Sequence, residues 1–583
     1  RNGNPYDGEV FYNLGLCLRY QFAGLENRQS AIGNRQFEEA YDSFYKATWN
    51  QAWCTASFHA LAEMDCVEKN WPTALEHLNR SLRFDTDNLR ARNLKVIVLR
   101  KLNRPDEADE LLRETLKLDA LDFWARHLNG ERLNCDLQTQ LDIAHDCARA
   151  GLFDEAIQIL KNANAISRDL PDQSWGALPI IFYTLGWLHE KIGDEKSARE
   201  FYRCAAAQSP DYCFPSRLEE IAVLESAMRA NPRDARAPYY LGNLFYDRRR
   251  HAEAIRLWEK SAKLDSKFSI VWRNLGIGYF NILKKPTKAK AAYEKAFRAD
   301  PNDARLLYER DQLWKRLGEK PENRLCELEK FPQLISQRDD LNVELCTLYN
   351  QTGQSEKAVK ILAERKFQPW EGGEGGALGQ HVRAQLALGR AALKKAENGK
   401  RKTEMDLAVA HFRNALASPR NLGEAKHLLA NQSDIHFWLG CALDWLGDKK
   451  SAREHWLVAA NFKGDFQEMS VRAFSEMTYF SALSWEKLGQ RAKAKKLFRD
   501  LLAYAKKLQK AKAQIDYFAT SLPTMLLFDD DLQFRQETTA LFLRAQAQLG
   551  LGKKSAAKKL LQTVLRRDPN HAFAADFLRE LKS

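Results

Sequence analysis

ARAPYYLGNLFYDRRRHAEAIRLWEKSAKLDSKFSIVWRNLGIGYFNILKKPTKAKAAYEKAFRADP, residues 235–301, carries one pattern twice. Leu241-Gly242 returns as Leu275-Gly276 after 34 residues, and the second copy adds Trp272, Tyr279, Ala289, Tyr293, Ala296 and Pro301. Small residues at the Gly and Ala positions let two antiparallel helices approach closely, while the large side chains fill the gaps around them. Such a pair cannot bury its apolar face alone and needs neighbours stacked on both sides. The second copy holds one extra residue between its helices, expected in the Leu283–Pro286 turn.

These residues resemble the tetratricopeptide repeat, a Trp-Leu-Gly-Tyr helix followed by an Ala-Phe-Ala-Pro helix. The resemblance implies an all-α chain, an α-α superhelix (tetratricopeptide solenoid) of about 12–13 helix-turn-helix repeats. Working outward, Leu185, Gly186, Ala198, Tyr202, Ala205 and Pro210 nearly complete the pattern, and Ala74-Leu78-Ser81 recurs as Ala108-Leu112-Thr115, again 34 residues on. Leu14-Gly15 with Ala40, Phe44 and Ala47 forms a first repeat whose helices are separated by a surface loop within Gln21–Gln36. One added helix is expected over Arg217–Ala230. Pro321 and Pro332 interrupt the template over Glu319–Leu334, which implies a shortened unit or a bend. Leu439, Gly440, Ala452, Trp456 and Ala459 restore it, and Ala572–Lys582 reads as a closing helix with a charged outer face. Strand patterns of useful length do not occur. Three segments are expected: residues 1–234, the central 235–334 with the clearest repeats, and 335–583 with inserts and the cap.

At 583 residues the chain exceeds what one core can organise, a limit that a repeat array escapes. No apolar run reaches the length of a membrane span. The ten cysteines are scattered without a Cys-x-x-Cys pair, so they read as small apolar residues in a reducing compartment. A cytoplasmic location is therefore expected. Pro5 stands where a preceding repeat would end, so the chain is read as the C-terminal part of a longer protein. The net charge of +13 is concentrated in Gln490–Lys512; a solvated helix face accounts for that run, and nucleic acid is not the expected partner.

No metalloprotease, nucleophile-elbow, phosphate-loop or dinucleotide motif is present, and the 12 His are dispersed; neither catalysis, metal nor cofactor is expected. Two places carry candidate binding residues. In a tetratricopeptide array the first helix of each pair lines a concave groove that receives a peptide or a helix. The register set by Leu241 and Leu275 places Tyr239, Asn243, Tyr246, Arg273 and Ile277 on that surface. The second place is the loop Trp370-Glu371-Gly372-Gly373-Glu374-Gly375-Gly376. Its four glycines would let backbone N–H groups approach a ligand, with Glu371 and Glu374 on sugar hydroxyls or a cation and Trp370 as a stacking platform. A specialised turn between repeats explains the same residues.

Ala47-Thr48-Trp49-Asn50, Asn88-Leu89-Arg90-Ala91-Arg92-Asn93-Leu94, Leu121-Asp122-Phe123-Trp124-Ala125-Arg126, Pro369-Trp370-Glu371-Gly372-Gly373-Glu374-Gly375 and Ile515-Asp516-Tyr517-Phe518-Ala519 resemble a bacterial family of unknown function. In that family a mutarotase-like β-sandwich precedes a long tetratricopeptide region. The resemblance implies a β-sandwich of the same protein as a further partner and suggests a carbohydrate association by analogy alone. Two functions follow: a non-catalytic scaffold holding a protein or peptide in its groove, or the accessory half of a carbohydrate-active protein with a saccharide near residues 370–376.

Overall fold

The computed structural model describes residues 7–23, 31–169, 176–368, 370, 373–399, 401–467, 470–514 and 527–581. Helices dominate, and they pair in sequence order into thirteen hairpins among the described residues. The chain divides into two compact units, Arg1–Val271 and Trp272–Ser583. This division falls inside the stretch 235–334.

Six of the hairpins are built on one kind of contact. Gly15, Gly186, Gly242, Gly276, Gly389 and Gly440 sit on first helices, and the ring of Phe44, Tyr202, Trp258, Tyr293, Phe412 or Trp456 lies directly on the α-carbon. A methyl group there would fall 2.4–2.8 Å from the ring. Alanines fill the second-helix positions, with Ala198, Ala254, Ala289, Ala408 and Ala452 all buried. The 34-residue spacing is thus the spacing of a ring seated on a glycine.

Within the first unit, helices far apart in sequence converge. Arg149 pairs with Glu63 at 3.2 Å and with Glu219; Arg19 donates to Glu63 at 2.6 Å and to the Arg149 carbonyl at 2.7 Å. Burial raises the Glu63 carboxyl, but Arg19, His59 and Arg149 together hold it well below the carboxylate range. The second unit closes on itself in the same way. Arg324, fully buried, binds Asp311 at 2.5 and 2.9 Å, Glu344 at 2.6 Å and the Asn570 side chain at 2.8 Å. Gln351 donates to the Asn570 carbonyl at 2.6 Å, and Arg316 meets Asp530 at 2.6 Å, so the last hairpin locks onto the early ones.

Several local expectations are refined. The extra residue of the second copy is not in the Leu283–Pro286 turn. It is absorbed one turn earlier as a π-helix, Gly278–Ile282, closed by Leu283 N–H donating to the Gly278 carbonyl. The loop of the first repeat is shorter than Gln21–Gln36, because helix Ala31–Ala47 begins within it. Pro321 and Pro332 each start a short helix, Pro321–Leu328 and Pro332–Ser336, since proline is tolerated in a first turn. The added helix is Glu219–Ala230. A two-stranded hairpin, Asp465–Gln467 with Ser470–Arg472, interrupts the helices; three-residue strands are too short to leave an alternating pattern. The closing helix, Ala572–Glu580, turns acidic side chains inward: Asp576 meets Arg383 at 3.3 Å and Glu580 pairs with Arg390. All ten cysteines are free thiols, five of them buried and Cys17 and Cys326 exposed. Among the described residues no helix is long and apolar enough to cross a membrane.

Alanine is the better helix former by about 1 kcal/mol. At Gly440, however, its methyl would meet the Trp456 indole at 2.5 Å, and overpacking of this kind costs about 1–3 kcal/mol. Gly440→Ala therefore lowers the urea midpoint. Gly379→Ala, where no atom lies within 4 Å, raises it. A raised midpoint for Gly440→Ala would show that the seated ring does not hold the hairpin.

Candidate functional site

The residues expected on the groove all make contacts within the fold. Tyr239 is not exposed: it is buried against Tyr240 and Phe268, with ring centroids 5.2 and 4.8 Å away. Asn243 accepts a hydrogen bond from Trp258 Nε1 at 3.0 Å, which orients the ring seated on Gly242. Tyr246 packs on that indole at 5.1 Å and on His251. Arg273 forms a two-pronged pair with Glu309 at 2.6 and 2.8 Å, where Tyr293 and Arg305 also converge. Ile277 is half-buried. The first three belong to one compact unit and the last two to the other. For Tyr239 exposure was the wrong expectation, because this aromatic fills the space beside the neighbouring pair; Asn243, Tyr246, Arg273 and Ile277 keep part of their surface exposed.

Around the glycine loop, Glu371 lies outside the described residues. The Trp370 indole folds back onto Gly373, whose hypothetical Cβ would sit 1.9 Å from the ring, so one face of the platform is already covered. The backbone N–H groups that were to cradle a ligand are taken by the chain itself. Glu424 accepts from Gly375, from Ala377 at 3.1 Å and from Leu378 at 3.5 Å. A carboxylate over the free N–H groups at the start of helix Gly376–Gly399 satisfies them and complements the helix dipole. The loop is thus a helix-capping turn, and it presents Glu374 and the glycine backbone to a cavity.

That cavity, of about 1060 Å³, lies wholly within the second unit. Helix Gly376–Gly399 contributes Leu378, Val382 and Leu386; helix Ser433–Trp445 contributes Asp434, Ile435 and Trp438. Phe480 comes from helix Thr478–Lys487, and Phe573 and Phe577 from the closing helix. The small β-hairpin inserts Phe466, which stacks on His427 at 3.8 Å between centroids. First helices of three successive repeats thus form one wall, and the closing helix the other.

Charges in the lining are mostly matched. Arg383 and Arg390 are held by Asp576 and Glu580, and Lys426 donates to the Ala415 carbonyl at 2.5 Å and to Gln432 Oε1 at 3.0 Å. Burial pulls the Lys426 ammonium down to about 8. Asp434 differs. It is 7% exposed, and among the described residues its carboxylate accepts from backbone N–H groups alone, that of the adjacent Ile435 at 2.8 Å, with no side chain paired to it. Burial pushes its pKa up to about 6, against the weaker opposing pull of Arg390 from helix Gly376–Gly399 and Lys426 from the preceding loop.

Fold and cavity together define a tetratricopeptide-repeat array with a largely apolar chamber in its second unit. Comparison agrees on the repeats: tetratricopeptide-repeat profiles match residues 279–303 and 539–571. The cytochrome c-type biogenesis protein CycH of Pseudomonas aeruginosa is 30% identical over 165 residues, 28% of this chain. The match spans 38% of that relative's length. Among solved structures, yeast Tom70 aligns with 78% of this chain and 97% of its own at 13% identity and a TM-score of 0.22. YrrB, a tetratricopeptide protein with an unusual peptide-binding site, aligns with 40% of this chain and 98% of its own at 15% identity and a TM-score of 0.16.

Neither Asp434 nor Glu424 carries a sequence signal, because each becomes distinctive only through what surrounds it in space. Since the folded pKa of Asp434 lies above its ordinary value, the folded state holds an extra proton between about pH 4 and pH 6. The favourable contribution is complete below that window and is lost as pH rises through it. Asp434→Asn therefore matches the parent near pH 4 and exceeds it by about 2 kcal/mol near pH 7.5, as read by urea titrations at both pH values. An equal offset at both would show that the carboxyl is not held protonated by the fold.

Proposed function

We propose that the chain is a non-catalytic scaffold that holds a peptide or a segment of a partner protein against its first helices, with the cavity of the second unit as the seat. The observation that carries this reading is the chamber itself. Its volume of about 1060 Å³ stands at the upper end of small-molecule sites, about 300–1,000 Å³, and suits several residues of chain. Its walls combine aromatic rings with a few fixed charges, the composition of a recognition surface. A relative named for cytochrome c-type biogenesis fits a role in which client chains are held rather than transformed. A saccharide at residues 370–376 has less support, because Glu424 already accepts from the backbone N–H groups such a ligand would need. The lysines of helix Arg491–Lys510 are exposed on a second helix, away from the cavity lining, so the scaffold reading does not use them.

Gly379 supplies the test, because it lines the cavity and has open space at its α-carbon. Gly379→Trp should fill the chamber without disturbing a packed core. Peptides selected from a displayed library on the full chain are expected to bind this variant at least about tenfold more weakly, the loss of one well-buried contact, with a melting midpoint no lower than the parent's. Equal binding to parent and variant would place the partner surface elsewhere.

A further inference from the structure

Resting on that reading, we infer that the cavity selects a peptide carrying a basic side chain, arginine or lysine, flanked by apolar or aromatic residues, with Asp434 as the counter-ion. A carboxylate buried to this degree is ordinarily paired, because transfer of an isolated charge from water is strongly unfavourable. Here the neighbouring cations are engaged: Arg383 with Asp576, Arg390 with Glu580, Lys426 with two oxygens of its own loop. Among the described residues Asp434 is left with backbone N–H donors alone, that of Ile435 at 2.8 Å, while lining the cavity. An incoming cation completes it. An incoming carboxylate would instead have to break an existing pair.

The walls suit the same ligand. Trp438 and Phe480 flank the chamber, and Phe480 lies 6.3 Å from Phe577 at 62°. Aromatic faces attract a guanidinium or ammonium group and also receive the methylene stem beneath it. Leu378, Val382, Leu386 and Ile435 supply apolar surface for the flanking residues. Asp434 therefore fixes register, and the apolar walls supply area. This division is usual where one desolvated charge pair selects and the surrounding contacts exclude water.

The test uses the full chain and a positional-scanning heptapeptide library, acetylated and amidated so that no terminal charge competes. The expected result is enrichment of Arg or Lys at one position with apolar or aromatic neighbours. Replacing that Arg by citrulline, or that Lys by norleucine, should weaken binding about tenfold to a hundredfold, the range of a charge-assisted hydrogen bond. Asp434→Asn should bind the charged and neutral peptides alike while melting no earlier than the parent. Enrichment of peptides without a basic residue, all blocked by Gly379→Trp, would overturn the choice of ligand and leave the scaffold reading intact. Discrimination that persists in Asp434→Asn would overturn the role of Asp434. Absence of any enriched peptide would overturn both.

Discussion

The seating of an aromatic ring on a glycine α-carbon is the contact on which the rest of the molecule depends. It brings the two helices of a hairpin closer than any side chain at that position would permit, and it recurs in six hairpins across both units. With the distance inside each hairpin fixed, the next can stack only in a narrow range of orientations, because interiors pack at crystal-like density. Polar groups are recruited to the same purpose: Asn243 holds the Trp258 ring over Gly242 by its Nε1–H, and Glu309 gathers Arg273, Arg305 and the Tyr293 hydroxyl.

Stacking alone leaves a chain of nearest-neighbour contacts. Each unit adds a second order of contact across its interior, through charged groups with little exposure to water. Arg149 does this in the first unit and Arg324 in the second. A fully buried guanidinium is tolerated because each of its three nitrogens finds an oxygen, in Asp311, Glu344 or Asn570. Replacing a network like this by apolar side chains need not reduce stability, but removing one member strands the others. Its consequence here is geometric: the last hairpin of the second unit is fixed against the early ones, and the closing helix is directed across the inner helices.

The chamber follows from that closure. Were Ala572–Glu580 an outward-facing cap, the inner faces of the helices at Gly376 and Ser433 would form an open wall. Instead Phe573, Asp576 and Phe577 face them across the cavity, and the hairpin carrying Phe466 narrows it further. Most charges in this space are satisfied by one another, while Asp434 is not. An unpaired buried carboxylate works against stability, and such residues concentrate at sites kept for binding.

From residues alone, the helix pairs and their approximate number were legible, because a small side chain opposite a large one every 34 residues is a local requirement with a local signature. Proline at 321 and 332 showed where the template breaks, since the ring removes a backbone donor wherever it stands. The exposure of Tyr239 was misjudged for a physical reason: periodicity tells which helix a residue occupies, but whether Tyr239 meets solvent or Phe268 depends on the neighbouring pair. The glycine loop looked like a cradle until Glu424, 49 residues beyond Gly375, was seen to occupy it. Only the tertiary structure could make Asp434 stand out, because being buried and unpaired depends on three helices, a loop and the closing segment meeting in space, and no spacing along a chain encodes that meeting.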